Sequence, residues 1–329
     1  CLNSSASAAP DELFKQSAAV ACGLVLLCVL SLILSNLRLV MKLRYLAGAG
    51  ALAFLAVNLI IGEVRNGAKN WINLGFITIQ PSEFIKIAFI FAGAVTLEWL
   101  LVKRNLAVLL VFSAACIGML FLMEDFGTAL IFFVTFLIIA YLSLGNLPVI
   151  AAITAGAAAG AALIIRLRPY ILQRFAAWRH VFEYANSVGF QQSRTLIAIS
   201  GGGLLGLGGG SGFLRKVVAA DTDLAFGIVS EEWGFIVALC SAACLVLLLA
   251  GAVRNAKAAS SSYYAIAGCA AAGLFLFQSS LNLFGSTDIL PLTGVTYVFV
   301  SNGGSSMVAC WGMLAFIKAV YTHRGGAQA

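Results

Sequence analysis

Four carboxylates stand close together in a chain that has few of them. Asp221, Asp223, Glu231 and Glu232 fall within twelve residues, and the whole chain has 13 acidic residues. A long apolar run follows, and we expect Glu231 and Glu232 in its first helical turns, where capping and the helix dipole favour anions. A cap needs only one such residue. A second interpretation is therefore open, in which one carboxylate of the cluster is a general base beside a cationic phosphate site.

The stretch before this cluster is long and basic. Residues 166–226 far exceed the roughly two to eight residues that usually join bundled helices. A basic segment that borders lipid suits an anionic ligand such as a phosphate or diphosphate group. The basic residues of this segment are Arg166, Arg168, Arg174, Arg179, Arg194, Arg215 and Lys216.

A glycine-rich run, ISGGGLLGLGGGSG, occupies residues 199–212 of the same segment. Backbone N–H groups of such a run can bind phosphate, but the GK[ST] residues of a P-loop are absent. The alternative is a flexible or closely packed backbone, or a re-entrant segment that lines a cavity.

Two ionisable residues lie inside an apolar segment, where charge is costly and usually functional. Glu83 and Lys86 are three apart, so they share a helix face and can neutralise each other. They form either a structural ion pair or a headgroup site to which Lys69 and Trp71 contribute. Asp125 opens another apolar run, and helix capping explains it more simply than catalysis does.

Composition sets the class of protein that must position these groups. Hydrophobic residues make up 61% of the chain and charged residues 10%, against about 25% in soluble domains. The mean hydropathy of +1.00 predicts an all-α polytopic membrane protein, so the net charge of +7 does not indicate nucleic acid. The eight cysteines show no disulfide or metal spacing. Nine predicted spans cover 17–36, 43–62, 82–102, 106–123, 126–144, 147–165, 227–251, 261–284 and 294–321.

The charges between these spans predict their orientation. Basic residues follow the first, third, seventh and ninth spans, which places all four connections on one side, as expected of a cytoplasmic face. The connections 62–81, 123–126, 166–226 and 284–294 then face outward with the N-terminus.

Five segments in order resemble the SEDS family, the FtsW/RodA/SpoVE group. The resemblance covers nearly all of residues 1–329, which are predicted to form a single transmembrane domain. The five segments begin at Gly67, Glu124, Gly189, Asp221 and Gln278 and read GAKNWINLGFITIQPSEFIKIAFIF, EDFGTAL, GFQQSRTLIAISGGGLLGLG, DTDLAFGIVSEEWGF and QSSLNLFGSTDILPLTGVTYVFVSNGGSSM.

The resemblance implies ten transmembrane helices, with a large extracellular loop between the seventh and the eighth. The nine predicted spans then correspond to the second to tenth helices, with residues 166–226 as the loop and the first helix before Cys1. The implied location is the cytoplasmic membrane of a bacterium, with the active face outside.

The resemblance also implies an activity and a partner. SEDS proteins are peptidoglycan glycosyltransferases that polymerise lipid II, and they usually work beside a class B penicillin-binding protein. Their proposed catalytic Asp corresponds to Asp223, which would take the proton from the 4-hydroxyl of the acceptor sugar. A lipid II flippase and a non-catalytic scaffold for the penicillin-binding protein are the alternatives.

Further site residues follow from the same motifs. A basic group, or a divalent cation such as Mg²⁺ or Mn²⁺, would offset the charge of the leaving diphosphate. The substrate-binding candidates are Lys69, Trp71, Glu83, Lys86, Arg194, Arg215 and Lys216, of which the Glu83 and Lys86 pair shapes the cavity. The supporting candidates are Asp125, Gln191, Glu231, Glu232, Ser305 and Ser306.

Several positions depart from the family motifs. Asp221 replaces the His before the Thr-Asp pair, 217–219 replace a Leu-Pro-Glu stretch, and 123–124 replace Gln-Pro. Asn302 stands where the family has Tyr. These changes lie around the predicted active face, so they predict altered substrate preference or partner surface, while Asp223 is retained.

Overall fold

The computed structural model describes residues 10–65, 67–75, 77–96, 102–167 and 175–323. The described residues are mostly helical, at 74%. It divides into two compact units that interleave along the sequence. The first unit comprises Cys1–Leu13, Asn146–Cys244 and Gln278–Gly303, and the second comprises Phe14–Gly145, Leu245–Phe277 and Gly304–Ala329.

The helices follow the predicted apolar runs closely. Local caps mark their ends: Asn36 accepts hydrogen bonds from the N–H groups of Arg38 and Leu39, and Gly145 ends a helix in the left-handed region at φ +59°. The long helices are α1 (Pro10–Leu34), α2 (Leu37–Ile61), α3 (Pro81–Thr96), α4 (Val102–Leu122), α5 (Phe126–Leu144), α6 (Leu147–Leu167), α10 (Phe235–Ala256), α11 (Ser262–Ser286) and α12 (Gly304–Thr322).

Six helices within the described ranges are long and apolar enough to cross a membrane, namely α1, α2, α5, α10, α11 and α12. Shorter apolar stretches occur in α4 and α6, over Leu106–Leu122 and Leu147–Ala162. Helix α3 covers the start of the predicted span 82–102, and residues 97–101 of that span lie outside the described residues.

A small antiparallel sheet, which was not predicted, occupies the connection 62–81. Its strands are β1 (Glu63–Arg65), β2 (Ala68–Asn73) and β3 (Thr78–Ile79), in the order β1-β2-β3. Trp71 pairs with Glu63, and Ile72 with Ile79. Asn70 and Ile72 are buried while their neighbours are more exposed, the period-two alternation of a strand.

The predicted span 227–251 is not one helix. It is broken at Gly234, which separates α9 (Ala225–Trp233) from α10 and has φ +91°. A break leaves helix-end N–H and C=O groups without intrahelical partners. The glycine-rich run supplies hydrogen-bond partners for these groups: Leu207 N donates to Glu231 O at 2.9 Å, and Phe235 N donates to Gly203 O at 3.0 Å.

These hydrogen bonds favour a closely packed backbone among the interpretations of the glycine-rich run. A Cβ on Gly202 would lie 2.4 Å from Ser230 O, and one on Gly206 would lie 2.4 Å from Glu232 O. Real Cβ atoms essentially never approach so closely. Glycine is therefore required here so that two backbones can meet.

The predicted span 294–321 was wrong at its start, since α12 begins only at Gly304. The residues before it follow an irregular path, which agrees with Pro291 and with Gly294 at φ +68°. Carbonyl and N–H groups of this segment are consequently available to other parts of the first unit.

The described part of the predicted outer loop 166–226 is largely folded. It contains α7 (Phe190–Gly202), a 3₁₀ turn at Leu214–Lys216 and α8 (Ala220–Asp223). Arg168 and Arg174 lie outside the described residues. A small buried core holds these elements together and consists of Ala198, Leu214, Ala220, Leu224 and Ile228.

Candidate active site

Asp223 is the last residue of α8, and the end of such a short helix must find outside partners for its carbonyl groups. Three consecutive carbonyls are bound by residues around the end of α11 and the start of α12. Asn302 N donates to Asp221 O at 2.9 Å, Ser301 Oγ to Thr222 O at 2.6 Å, and Asn282 Nδ2 to Asp223 O at 2.9 Å. We call these three hydrogen bonds the carbonyl clamp.

Asn282 also binds other parts of the first unit besides Asp223. Its buried Nδ2 also donates to Val295 O at 2.7 Å, and its Oδ1 accepts from Phe226 N at 3.4 Å. A buried amide whose donors and acceptor are all used fixes its neighbours in one arrangement. The position of Asp223 thus depends on α9, on α11 and on the segment before α12.

The carbonyl clamp does not depend on the side chain at position 302, where the sequence departs from the family motif. Asn302 contributes its backbone N–H, which any residue except Pro supplies. The change from Tyr to Asn therefore leaves this hydrogen bond in place. The Ser301 contribution, by contrast, uses a side-chain hydroxyl.

The Asp223 side chain is half-buried and lies beside Gly294. A Cβ on Gly294 would lie 3.3 Å from Asp223 Oδ2, and the φ of +68° strains any other residue at this position. Gly294 therefore lets the chain pass close to the carboxylate without covering it.

Glu231 and Glu232 were expected in the first turns of a span, and this expectation was wrong. They are buried in the last turn of α9, where the helix dipole does not favour anions. Hydrogen bonds stabilise them instead. Glu231 accepts from Phe213 N at 2.9 Å and from Leu214 N at 3.0 Å.

Glu232 binds Arg215 through both carboxylate oxygens. Arg215 Nε lies 2.5 Å from Oε1, and Nη2 lies 2.7 Å from Oε2. A bidentate pair of this kind is strong and geometrically specific. Together the two glutamates hold the segment that leads into α8.

The remaining predicted residues of the first unit lie on or next to α7. Gln191 Nε2 donates to Val218 O at 2.9 Å, which connects α7 to the residues that precede α8. Arg194 is exposed, with its guanidinium carbon 5.4 Å from the centre of the Phe190 ring. Lys216 is also exposed.

The second unit contains the predicted ion pair. Lys86 Nζ lies 2.8 Å from Glu83 Oε1, and both side chains are buried. The prediction that the two residues share a helix face and neutralise each other is confirmed.

The other predicted residues of this unit make structural contacts around the sheet. Lys69 Nζ donates to Leu59 O at 2.9 Å and to Ile60 O at 3.1 Å, which satisfies two carbonyls at the end of α2. The Arg65 guanidinium lies 5.6 Å from the centre of the Trp71 ring. Ser305 Oγ accepts from Gln80 N at 3.2 Å, and Ser306 is buried.

Asp125 caps α5, as the sequence predicted. Its Oδ1 accepts from Thr128 N at 3.2 Å, while its Oδ2 accepts from the buried Asn70 Nδ2 at 2.7 Å. The side chain therefore connects the helix start to β2.

Nearly the whole chain matches a known protein family. The family model described as "Cell cycle protein", which covers FtsW, RodA and SpoVE, matches residues 5–325. The chain belongs to the SEDS family. The resemblance seen in the five segments is confirmed. With six apolar helices among its described residues, the chain is a multi-pass membrane protein.

Individual SEDS relatives agree with this assignment. A probable peptidoglycan glycosyltransferase FtsW of Halorhodospira halophila is 34% identical over 82% of this chain and 71% of its own length. The peptidoglycan glycosyltransferase RodA of Mycobacterium bovis is 28% identical over 87% of this chain, which spans 65% of that protein.

Solved SEDS structures share the fold. A structure described as coordinating polymerization and crosslinking in a peptidoglycan synthase complex matches with a TM-score of 0.78 and 27% identity, over 97% of this chain and 91% of that one. The RodA crystal structure of Thermus thermophilus matches with a TM-score of 0.73 and 26% identity, over 99% and 92%.

The contacts of Asp125, the cap of α5 in this SEDS chain, predict that the residue stabilises the protein. Asp125→Ala removes the cap of α5 and leaves the buried Asn70 amide without an acceptor. We expect the free energy of unfolding to fall by about 2 kcal/mol. SDS titration in mixed micelles measures this change. Asp125→Asn keeps an acceptor for Thr128 N and should lose about half as much; equal losses in the two variants would contradict the capping role.

Proposed function

We propose that this chain is a peptidoglycan glycosyltransferase that polymerises lipid II at the outer face of the bacterial cytoplasmic membrane. Its FtsW and RodA relatives carry that activity in their names. The observation that carries the proposal is the carbonyl clamp. It binds the backbone carbonyls of Asp221, Thr222 and Asp223 and so fixes the backbone that carries the Asp223 side chain. Fixed geometry of this kind is what a general base requires.

The proposed reaction needs one proton acceptor and one anion site. The Asp223 carboxylate takes the proton of the 4-hydroxyl on the acceptor sugar, and that oxygen attacks the anomeric carbon of the donor. The bond between this carbon and the diphosphate oxygen breaks, with inversion, and undecaprenyl diphosphate leaves.

Arg194 and Lys216 are the proposed partners of the leaving diphosphate. Both are exposed and lie in the same unit as Asp223. Arg215 is assigned a positioning role instead, because its guanidinium already binds Glu232 through two hydrogen bonds. Lys69 likewise serves the end of α2.

A divalent cation fits this site only with ligands from the substrate. The described residues contain no group of three or more His, Cys, Asp or Glu side chains that could hold a metal ion. Mg²⁺ typically binds one or two carboxylates together with substrate phosphates and water. A carboxylate of α8 would hold the ion together with the substrate diphosphate and water, and the ion would offset diphosphate charge.

We also propose a class B penicillin-binding protein as the partner. The similar structure whose description couples polymerization with crosslinking supports this, because crosslinking is the reaction of a transpeptidase. Lipid II is the proposed substrate of the polymerase, and membrane lipid surrounds the apolar helices.

Two assays on the full-length protein test the proposed activity. With lipid II in detergent, we expect glycan strands on a gel. In liposomes, the flippase alternative predicts transfer of lipid II between leaflets without strands. The scaffold alternative predicts strands only from a polymerase that the chain recruits. Absence of strands, both alone and with the partner, would contradict the proposal.

Gly294 gives a smaller test within the same site. Gly294→Ala adds a Cβ 3.3 Å from Asp223 Oδ2 at a positive φ. Strain of about 1–2 kcal/mol that displaces the carboxylate should lower the polymerisation rate about tenfold. Gly285→Ala is the matched control, because its nearest contact would be an ordinary 3.4 Å. Equal rates in the two variants would contradict the role of Gly294.

A further inference from the structure

The tip of the glycine-rich run presents three leucines that are at least half exposed. Leu204, Leu205 and Leu207 are 65%, 84% and 51% exposed. Residues 199–212 contain no charged residue. Exposed leucines scattered singly are ordinary, but three within four residues form an apolar surface that needs a partner. We call residues 203–208 the leucine tip.

Several backbone groups of the leucine tip are hydrogen-bonded within the protein. Gly206 N donates to Gly202 O at 2.9 Å, and Gly208 N donates to Glu232 O at 3.0 Å. On the other side, Leu204 O accepts from Ile236 N at 3.4 Å. Irregular backbone is tolerated at membrane depth only when its polar groups are satisfied in this way.

The position of the leucine tip follows from the helix it binds. Helix α10 is long and apolar enough to cross a membrane, and the leucine tip is hydrogen-bonded to its first two residues. The first turns of α10 also expose apolar side chains, with Ile236, Val237 and Leu239 at 48%, 47% and 46%. The apolar surface of α10 therefore continues directly onto the leucine tip.

The geometry points to lipid as the occupant: we propose that the leucine tip inserts into the leaflet that contains the start of α10. The nearby carboxylates do not oppose insertion, because Glu231 is bound to Phe213 N and Leu214 N and Glu232 to Arg215. An apolar tip that is held by a membrane span would fix the depth of the segment between α7 and α8.

Photolabelling of the full chain in liposomes tests this proposal. The liposomes consist of phosphatidylethanolamine and phosphatidylglycerol with a small fraction of phosphatidylcholine that carries a diazirine on its acyl chain. After illumination and digestion, we expect lipid adducts on 203–208 within about threefold of the yield on 236–239, since both surfaces would face acyl chains. Hydroxyl radicals generated in the water should leave the three leucines unoxidised.

A variant separates lipid contact from chance labelling. Replacing Leu204, Leu205 and Leu207 together by Ser should lower the adduct yield on 203–208 by about fivefold and leave that on 236–239 unchanged. The wild-type result stands even if this variant fails to fold. Oxidation of the leucines from water, with no lipid adduct on them while 236–239 is labelled, would overturn the proposal and indicate a surface that awaits a protein.

Discussion

Asp223→Asn is expected to lower the rate of lipid II polymerisation by about 10²- to 10⁴-fold, the usual contribution of a general base. An amide of the same shape cannot take the proton of the acceptor hydroxyl. The carbonyl clamp should survive, because it binds Asp223 through its backbone oxygen. Quantified glycan strands from purified protein measure the loss.

A matched control separates this loss from a general effect of charge. Glu183→Gln removes one carboxylate from the same unit at an exposed position, and we expect its rate to stay within about twofold of wild type. Unchanged thermal unfolding of both variants would show that each is folded. A polymerisation rate of Asp223→Asn equal to that of Glu183→Gln would remove Asp223 from the mechanism.

Lys86→Met is expected to destabilise the protein by about 3–5 kcal/mol, because it leaves the buried Glu83 carboxylate without its cation. Both side chains of the pair are almost fully buried, so water cannot take over the role of the lysine. Unfolding in SDS titration measures the free energy. At this magnitude we also expect a lower yield of folded protein from membranes.

The double variant Glu83→Gln with Lys86→Met is the control for this prediction. It removes both charges together, and replacement of a buried ion pair by neutral groups costs far less than loss of one partner. We expect it to recover most of the lost stability. A double variant as unstable as Lys86→Met would show that packing, and not the unpaired charge, causes the loss.

The helices could be predicted from the sequence because hydropathy is summed over many residues. The break at Gly234 could not, because it depends on a distant contact. The hydropathy of 227–251 is continuous across Gly234, and only the glycine-rich run reveals why the helix stops there. The sheet was missed for a related reason: its strands are short, and their alternation is weaker than the apolar runs beside them.

The site also has residues that the sequence predicts and contacts that it does not. Asp223, the Glu83 and Lys86 pair and the cap at Asp125 stand out because charge is rare in an apolar chain. The carbonyl clamp was not predicted, since Asn282 and Ser301 lie 59 and 79 residues from the groups they bind. A polar amide within the apolar run of α11 was the one available signal for Asn282.

Three charged residues show how a local sequence pattern can mislead. Arg215 lies in a basic loop, which favours an anion site, yet it binds Glu232. Glu231 and Glu232 lie before an apolar run, which favours a helix start, yet they end α9. The local patterns were present, but the hydrogen bonds of these side chains are made with groups about 17 residues away in the sequence, and those contacts determine what the side chains do.

The pH dependence of the polymerisation rate at saturating lipid II tests the central claim most directly. If the Asp223 carboxylate is the base, it must be ionised to act, so the wild-type rate should fall as the pH is lowered through a single ionisation. In Asp223→Asn the small residual rate should lack this fall, and in Asp223→Glu it should persist at a shifted pH. The same fall in Asp223→Asn as in wild type would show that another group is the base, and would contradict the account.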